Sequence, residues 1–70
     1  MANQLRYNRI KATLALKGKT QNELAAHLKM SIYTVSKWCT NKTQPAIPDL
    51  YEIAKFLDVN VCELLEPNPS

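Results

Sequence analysis

The side chains able to do chemistry in this chain are few. His27 is its one histidine, and Cys39 and Cys62 stand far apart in the sequence. A zinc site needs closely spaced ligand pairs, and two separated thiols with one imidazole do not supply them. Both cysteines are expected to be free thiols, buried or half-buried. No Ser-His-Asp set, no carboxylate pair in a recognisable setting and no Gly-rich phosphate loop is present. The expected chemistry is therefore not catalysis, and no metal, other cofactor or small-molecule ligand is expected. What remains is hydrogen bonding from the segment Ser31 to Thr40. Wound as a helix at about 100° per residue, it places Ser31, Ile32, Trp38 and Cys39 within about 60° of Val35. That arc is apolar enough to face a core. Tyr33, Thr34, Ser36, Lys37 and Thr40 then face outward. Were the partner a DNA duplex, Lys37 could donate to guanine O6 and N7, Ser36 could donate or accept, and the Tyr33 ring or Ile32 could pack on a thymine methyl. The same Lys37 ammonium and Tyr33 hydroxyl could instead take a phosphate, and Ile32, at the border of the arc, could instead be buried.

The charge distribution points the same way. The formal charge is +3, but residues 1–42 hold eight bases and one acid, a net of +7. Residues 43–70 hold one base and five acids, a net of −4. A chain polarised in this manner suits a polyanion on one side and a different surface on the other. Seventy residues make one small domain. A domain of about 60 residues buries only about 60% of its unfolded surface, which leaves little room for an enclosed active site. A hydrophobic content of 46% is that of a globular chain. No apolar run approaches membrane-spanning length, and no secretory leader pattern is seen, so a cytoplasmic protein without membrane association is expected.

The elements that would position these groups are helices throughout. Asn3 is the expected cap of a first helix running to about Lys17. Its stripe is Tyr7, Ile10 and Leu14, with Leu5, Ala12 and Leu16 nearby, and Gly18 ends it. Thr20-Gln21-Asn22-Glu23 has the form of a capping box and opens a second helix, whose buried stripe is Leu24, Ala25 and Leu28. Lys29-Met30-Ser31 joins it to a third helix, about Ile32 to Thr40, with Ser31 as its cap. Two short helices joined this tightly have the spacing of a helix-turn-helix. Pro48 belongs in the first turn of a fourth helix, with Leu50, Ile53, Ala54 and Leu57 inward, Tyr51 flanking and Asp58 ending it. Asn60 to Glu63 forms a second capping box, opening a short fifth helix with Leu64 and Leu65 inward. The expected fold is an all-α, compact bundle of five short helices. Residues 1–66 form one domain, and residues 67–70 are expected as a disordered tail.

Thr20-Gln21-Asn22-Glu23-Leu24-Ala25, then Ser31…Val35-Ser36-Lys37-Trp38, resembles the Cro and phage-repressor class of helix-turn-helix proteins, the XRE family. Asn41-Lys42-Thr43-Gln44-Pro45 and Leu50…Ile53-Ala54-Lys55…Leu57-Asp58-Val59…Glu63-Leu64-Leu65 extend the resemblance from about Arg9 to Glu66. Three positions depart from the family habit. Lys29 and Asn41 stand where glycine is usual, and Cys39 stands where glutamate is common. A residue other than glycine at such a turn must adopt positive φ or alter the turn, and asparagine tolerates positive φ best.

The resemblance implies a lambda-repressor-like fold and sequence-specific binding of double-stranded DNA by a transcriptional regulator, repressor-like in action. It implies a third helix in the major groove with base contacts from Ile32, Tyr33, Ser36 and Lys37, the positions the helical arc also selects. It implies that Gln21 binds a backbone phosphate. Ser31, Thr40, Asn41, Lys42 and Lys19 complete the expected phosphate set, Asn41 and Lys42 partly through main chain and Lys19 mainly through its field. Arg6, Arg9 and Lys11 are expected on a solvated helix face, and His27 on the surface. One recognition helix reads few base pairs, so a homodimer on a palindromic operator is expected. Its contact would come from helices four and five near Val59, Val61 and Leu65. The alternative is a protein-interaction module of the same fold, such as an antitoxin-like or accessory subunit, which predicts weak DNA binding.

Overall fold

Three of the four helix starts among the described residues are set by short polar side chains, and helix ends by single left-handed residues. The computed structural model describes residues 6–67. They form α1 (Ile10–Leu16), α2 (Gln21–Leu28), α3 (Ile32–Cys39), α4 (Ile47–Leu57) and a closing 3-10 turn (Val61–Leu64). The Thr20 hydroxyl accepts the Glu23 N–H at 3.1 Å while the Glu23 carboxylate accepts the Thr20 N–H at 2.8 Å, the reciprocal cap expected of α2. Ser31 caps α3 by accepting the Tyr33 N–H at 3.0 Å. Pro48 lies in the first turn of α4, where a missing N–H leaves no bond unmade.

The four helices stop by one device. Gly18, Lys29, Asn41 and Asp58 all take positive φ. The N–H of each goes to the carbonyl three residues back, and the next N–H goes to the carbonyl five back. Lys19 to Leu14, Met30 to Ala25, Lys42 to Lys37 and Val59 to Ala54 are these longer bonds, at 2.9–3.0 Å. This paired closure satisfies terminal carbonyls and reverses the chain within two residues. Short helices can therefore pack tightly. Ile10, Leu14, Leu24, Val35, Trp38, Ile53, Leu57 and Leu64 make the buried core, with Leu28, Leu50, Val59 and Val61 partly buried against it.

Two expectations about the chain ends are corrected. The first helix begins at Ile10, well after Asn3. Residues before it are held in a non-helical segment by bonds to distant parts of the chain. Tyr7 and Asn8 donate their N–H groups to the Asn41 side chain, Arg9 donates to the Leu64 carbonyl at 2.7 Å, and Asn8 bridges Leu65. The Asn8 carboxamide oxygen then accepts the Ile10 N–H at 3.1 Å, a local turn that starts α1. Tyr7 is thus off the helical stripe and exposed, at 44%. Leu16, two residues and about 200° beyond Leu14, is exposed, while Thr13 takes the buried place. Asn3 and Leu5 lie outside the described residues, as does the expected tail after Pro67. At the other end, the fifth helix is a single 3-10 turn. The Glu63 carboxylate accepts the Asn60 N–H at 3.1 Å, but extension is stopped where Leu65 pairs with Asn8. Leu64 is buried and Leu65 stands partly exposed.

Candidate nucleic-acid interface

The turn between α2 and α3 fixes which faces are left outward. With Lys29 in the left-handed region at φ 57°, the chain reverses and Met30 packs partly against the core. Ser31 then starts α3. Val35, Trp38 and Cys39 enter the core, so the opposite side of α3 must face solvent. Tyr33 is 77% exposed, and Lys37 is exposed one turn further on. Ser36 is half-buried at the flank of this face. Ile32 is half-buried and packs against the core, leaving part of its side chain outward. Gln21, the first residue of α2, is half-buried near the capped end of that helix. Lys29 in the turn before α3, Lys37 on it and Lys42 in the loop after it are all exposed. Glu23, the one acid before residue 43, has its carboxylate engaged by the Thr20 N–H. The face is cationic and rich in donors.

The sequence model of a family described as "Helix-turn-helix" matches residues 10–64. The chain belongs to this XRE-type helix-turn-helix family. A crystal structure of "a putative DNA-binding protein from Bacteroides fragilis" is similar in sequence and fold. It is 41% identical, superposes with a TM-score of 0.83, and the match covers 84% of this chain and 95% of that one. No curated protein sequence matches the chain significantly. The family and this neighbour support a DNA-binding regulator as the general reading.

Within this helix-turn-helix unit, the expected phosphate positions divide into two groups. Ser31 and Lys42 are exposed, and Gln21 is half-buried at the start of α2. A hydroxyl that accepts the Tyr33 N–H keeps its own proton for another acceptor, so Ser31 can cap and donate at once. Thr40, Asn41 and Lys19 are engaged internally. The Thr40 hydroxyl is turned back on α3, within reach of the Ser36 and Lys37 carbonyls at 3.1 and 3.2 Å. Asn41 is buried. Its side-chain oxygen accepts from the Tyr7 and Asn8 N–H groups at 2.9 and 3.0 Å and from Gln44 at 3.2 Å. Its own carboxamide donates to the Asn8 carbonyl, and its backbone N–H to Trp38. The Lys42 N–H is also spent, on Lys37, so a phosphate contact at this loop falls to the Lys42 ammonium. The Lys19 ammonium lies 5.5 Å from the Phe56 ring centroid, and His27 stacks on the same ring at 4.6 Å. His27 is on the surface as expected, but it packs there against α4.

The amide cluster around Asn41 was not foreseen from the sequence. The Asn8 carboxamide donates to the Trp38 carbonyl at 3.0 Å and to the Gln44 side chain at 2.7 Å. Asn8 and Gln44 thereby fix the end of α3 and the loop that carries Lys42. The available signal was local: an asparagine two residues before a helix start is a turn former. Both cysteines are free. Cys39 is buried, and burial pushes its thiol above the ordinary range despite the lowering effect of Lys11. Cys62 is exposed rather than half-buried. Among the described residues no group of His, Cys, Asp and Glu could hold a metal ion, and no helix is long and apolar enough to cross a membrane.

Proposed function

We propose that this protein is a sequence-specific duplex-DNA-binding transcriptional regulator, repressor-like in action, whose α3 enters the major groove. The carrying observation is that Tyr33 and Lys37 stand exposed on one side of a helix whose other side lies in the core. A face with no packing role and a donor-rich composition suits base edges. Lys37 donates to guanine, Ser36 makes a flanking hydrogen bond, and Tyr33 with the outward part of Ile32 packs on a thymine methyl. Gln21, Ser31 and Lys42 hold phosphates and set the register. The protein acts as a homodimer on a palindromic operator. Its dimer contact comes from the acidic, apolar half, where Tyr51 and Leu65 are exposed and Val59 and Val61 are only partly buried.

Selection from a randomised duplex pool, followed by salt titration of the winning sequence, tests this reading. A palindromic consensus and a steep fall in affinity with salt are expected. Absence of any enriched sequence, with weak binding even at low salt, would overturn it in favour of a protein-interaction role. Lys37→Ala should cost roughly 1–3 kcal/mol and relax preference at one base position. Gln21→Ala should weaken all sequences about equally. An equal, sequence-independent loss for both would reassign Lys37 to a phosphate.

A further inference from the structure

An open cleft of about 550 Å³ lies between α1 and the C-terminal end of α3, and Arg6, Arg9, Lys11, Thr40 and Glu66 are among its walls. We propose that this cleft is a second DNA-backbone anchor, holding a phosphate beyond the bases read by α3, with Arg6 and Lys11 as its cationic donors. The proposal rests on the reading of α3 as the groove-entering helix and extends the surface that grips the duplex.

Three observations carry it. The cleft is cationic, with three basic side chains facing one carboxylate. It reaches the C-terminal end of α3, because Cys39, Thr40 and Asn41 form part of its wall. A helix that enters the major groove by its N-terminal half leaves it by its C-terminal end, where the groove wall is sugar and phosphate. The cleft is also held in shape. The segment that carries Arg6 is fastened by the Tyr7 and Asn8 N–H groups on Asn41 and by the Glu66 N–H on the Tyr7 carbonyl at 2.9 Å. Lys11, in the first turn of α1, lies close enough to α3 to act electrostatically on the Cys39 thiol. Arg9 also borders a neighbouring hollow that contains Glu63, so Arg6 and Lys11 are the pair assigned to the phosphate.

The test compares the full chain with an Arg6→Gln, Lys11→Gln double variant on the selected duplex. Removing two phosphate-binding cations should flatten the salt slope by about two. The drop in affinity between about 50 and about 200 mM salt then becomes roughly tenfold smaller. Base preferences should not change. On a duplex trimmed flush with the bases read by α3, wild type and variant should converge. An unchanged slope, or a loss that persists on the trimmed duplex, overturns the proposal. Thermal unfolding is followed in parallel. If the double variant melts early, Arg6→Gln alone, outside every helix, carries the test with a slope change of about one. A wild type that binds one sequence with an unchanged variant slope refutes the cleft and leaves the regulator reading intact. A wild type that enriches no sequence refutes the regulator reading, while the slope comparison on nonspecific duplex still decides the cleft.

Discussion

The two turns that bracket α3 make the same demand on the backbone and meet it differently. Lys29 before the helix has φ 57°, and Asn41 after it has φ 62°. Both close the preceding helix with the same pair of backbone bonds, and glycine is the usual family residue at both. Lys29 is exposed and adds charge beside the α3 face. Asn41 is buried and joins Tyr7, Asn8 and Gln44 into one hydrogen-bonded cluster. One turn residue therefore serves the backbone and the electric field. The other serves as a linkage between the segment before α1, the end of α3 and the loop bearing Lys42.

Glycine should therefore have opposite effects at the two places. Asn41→Gly removes the acceptor of two backbone N–H groups, one of them fully buried. The buried Asn8 N–H left unsatisfied costs about 1–3 kcal/mol and the lost bond of the half-buried Tyr7 N–H about 1 kcal/mol, while relief of left-handed strain, about 1 kcal/mol, is largely offset by the freer unfolded chain that glycine gives. A net loss of roughly 2–3 kcal/mol is expected in denaturant unfolding. The salt slope on DNA should flatten as well, because Arg6 loses its fastening. A variant as stable as wild type would mean that water replaces the side chain and that the cluster contributes no net stability.

How far the sequence disclosed this arrangement follows the range of each interaction. The caps at Thr20 and Ser31 and the stop at Asp58 act within a few residues, and composition and spacing revealed them. The core arc of α3 was legible because a single period places Val35, Trp38 and Cys39 together. The start of α1 was not legible, since Tyr7 and Asn8 are withdrawn from the helix by a residue more than thirty positions away. The inward commitment of Asn41 was missed for the same reason: at the end of a recognition helix, an asparagine that bonds inward and one that bonds a phosphate look alike in a sequence. The cationic cleft shared this fate. Arg6 and Lys11 read as a solvated face until α3 is placed beside them.

A milder change within the cluster separates its members. Gln44→Ala removes one bond to Asn8 at 2.7 Å and one to Asn41 at 3.2 Å, but it strands neither partner. Asn8 still donates to Trp38, and Asn41 still accepts from Tyr7 and Asn8. Two net hydrogen bonds at a partly exposed site are worth about 1–1.5 kcal/mol together. The loss in unfolding free energy should therefore be about half that of Asn41→Gly. Equal losses from the two variants would place the important contact on Gln44 instead.

The smallest effect should have the opposite sign. Lys29→Gly relieves a left-handed L-residue, worth about 1–2 kcal/mol, and loosens the unfolded chain by about 0.4–1 kcal/mol. A net gain of roughly 0.5–1 kcal/mol is expected, seen as a higher denaturant midpoint. Binding should move the other way. The lost ammonium stands at the edge of the cationic face, so affinity should fall slightly for every sequence and the effect should vanish at high salt. Stability that rises while low-salt affinity falls would show that lysine at this turn is retained for its charge and tolerated by its backbone. A stability loss would instead show that the Lys29 side chain packs on the fold, and the contrast with Asn41 would collapse to one of degree.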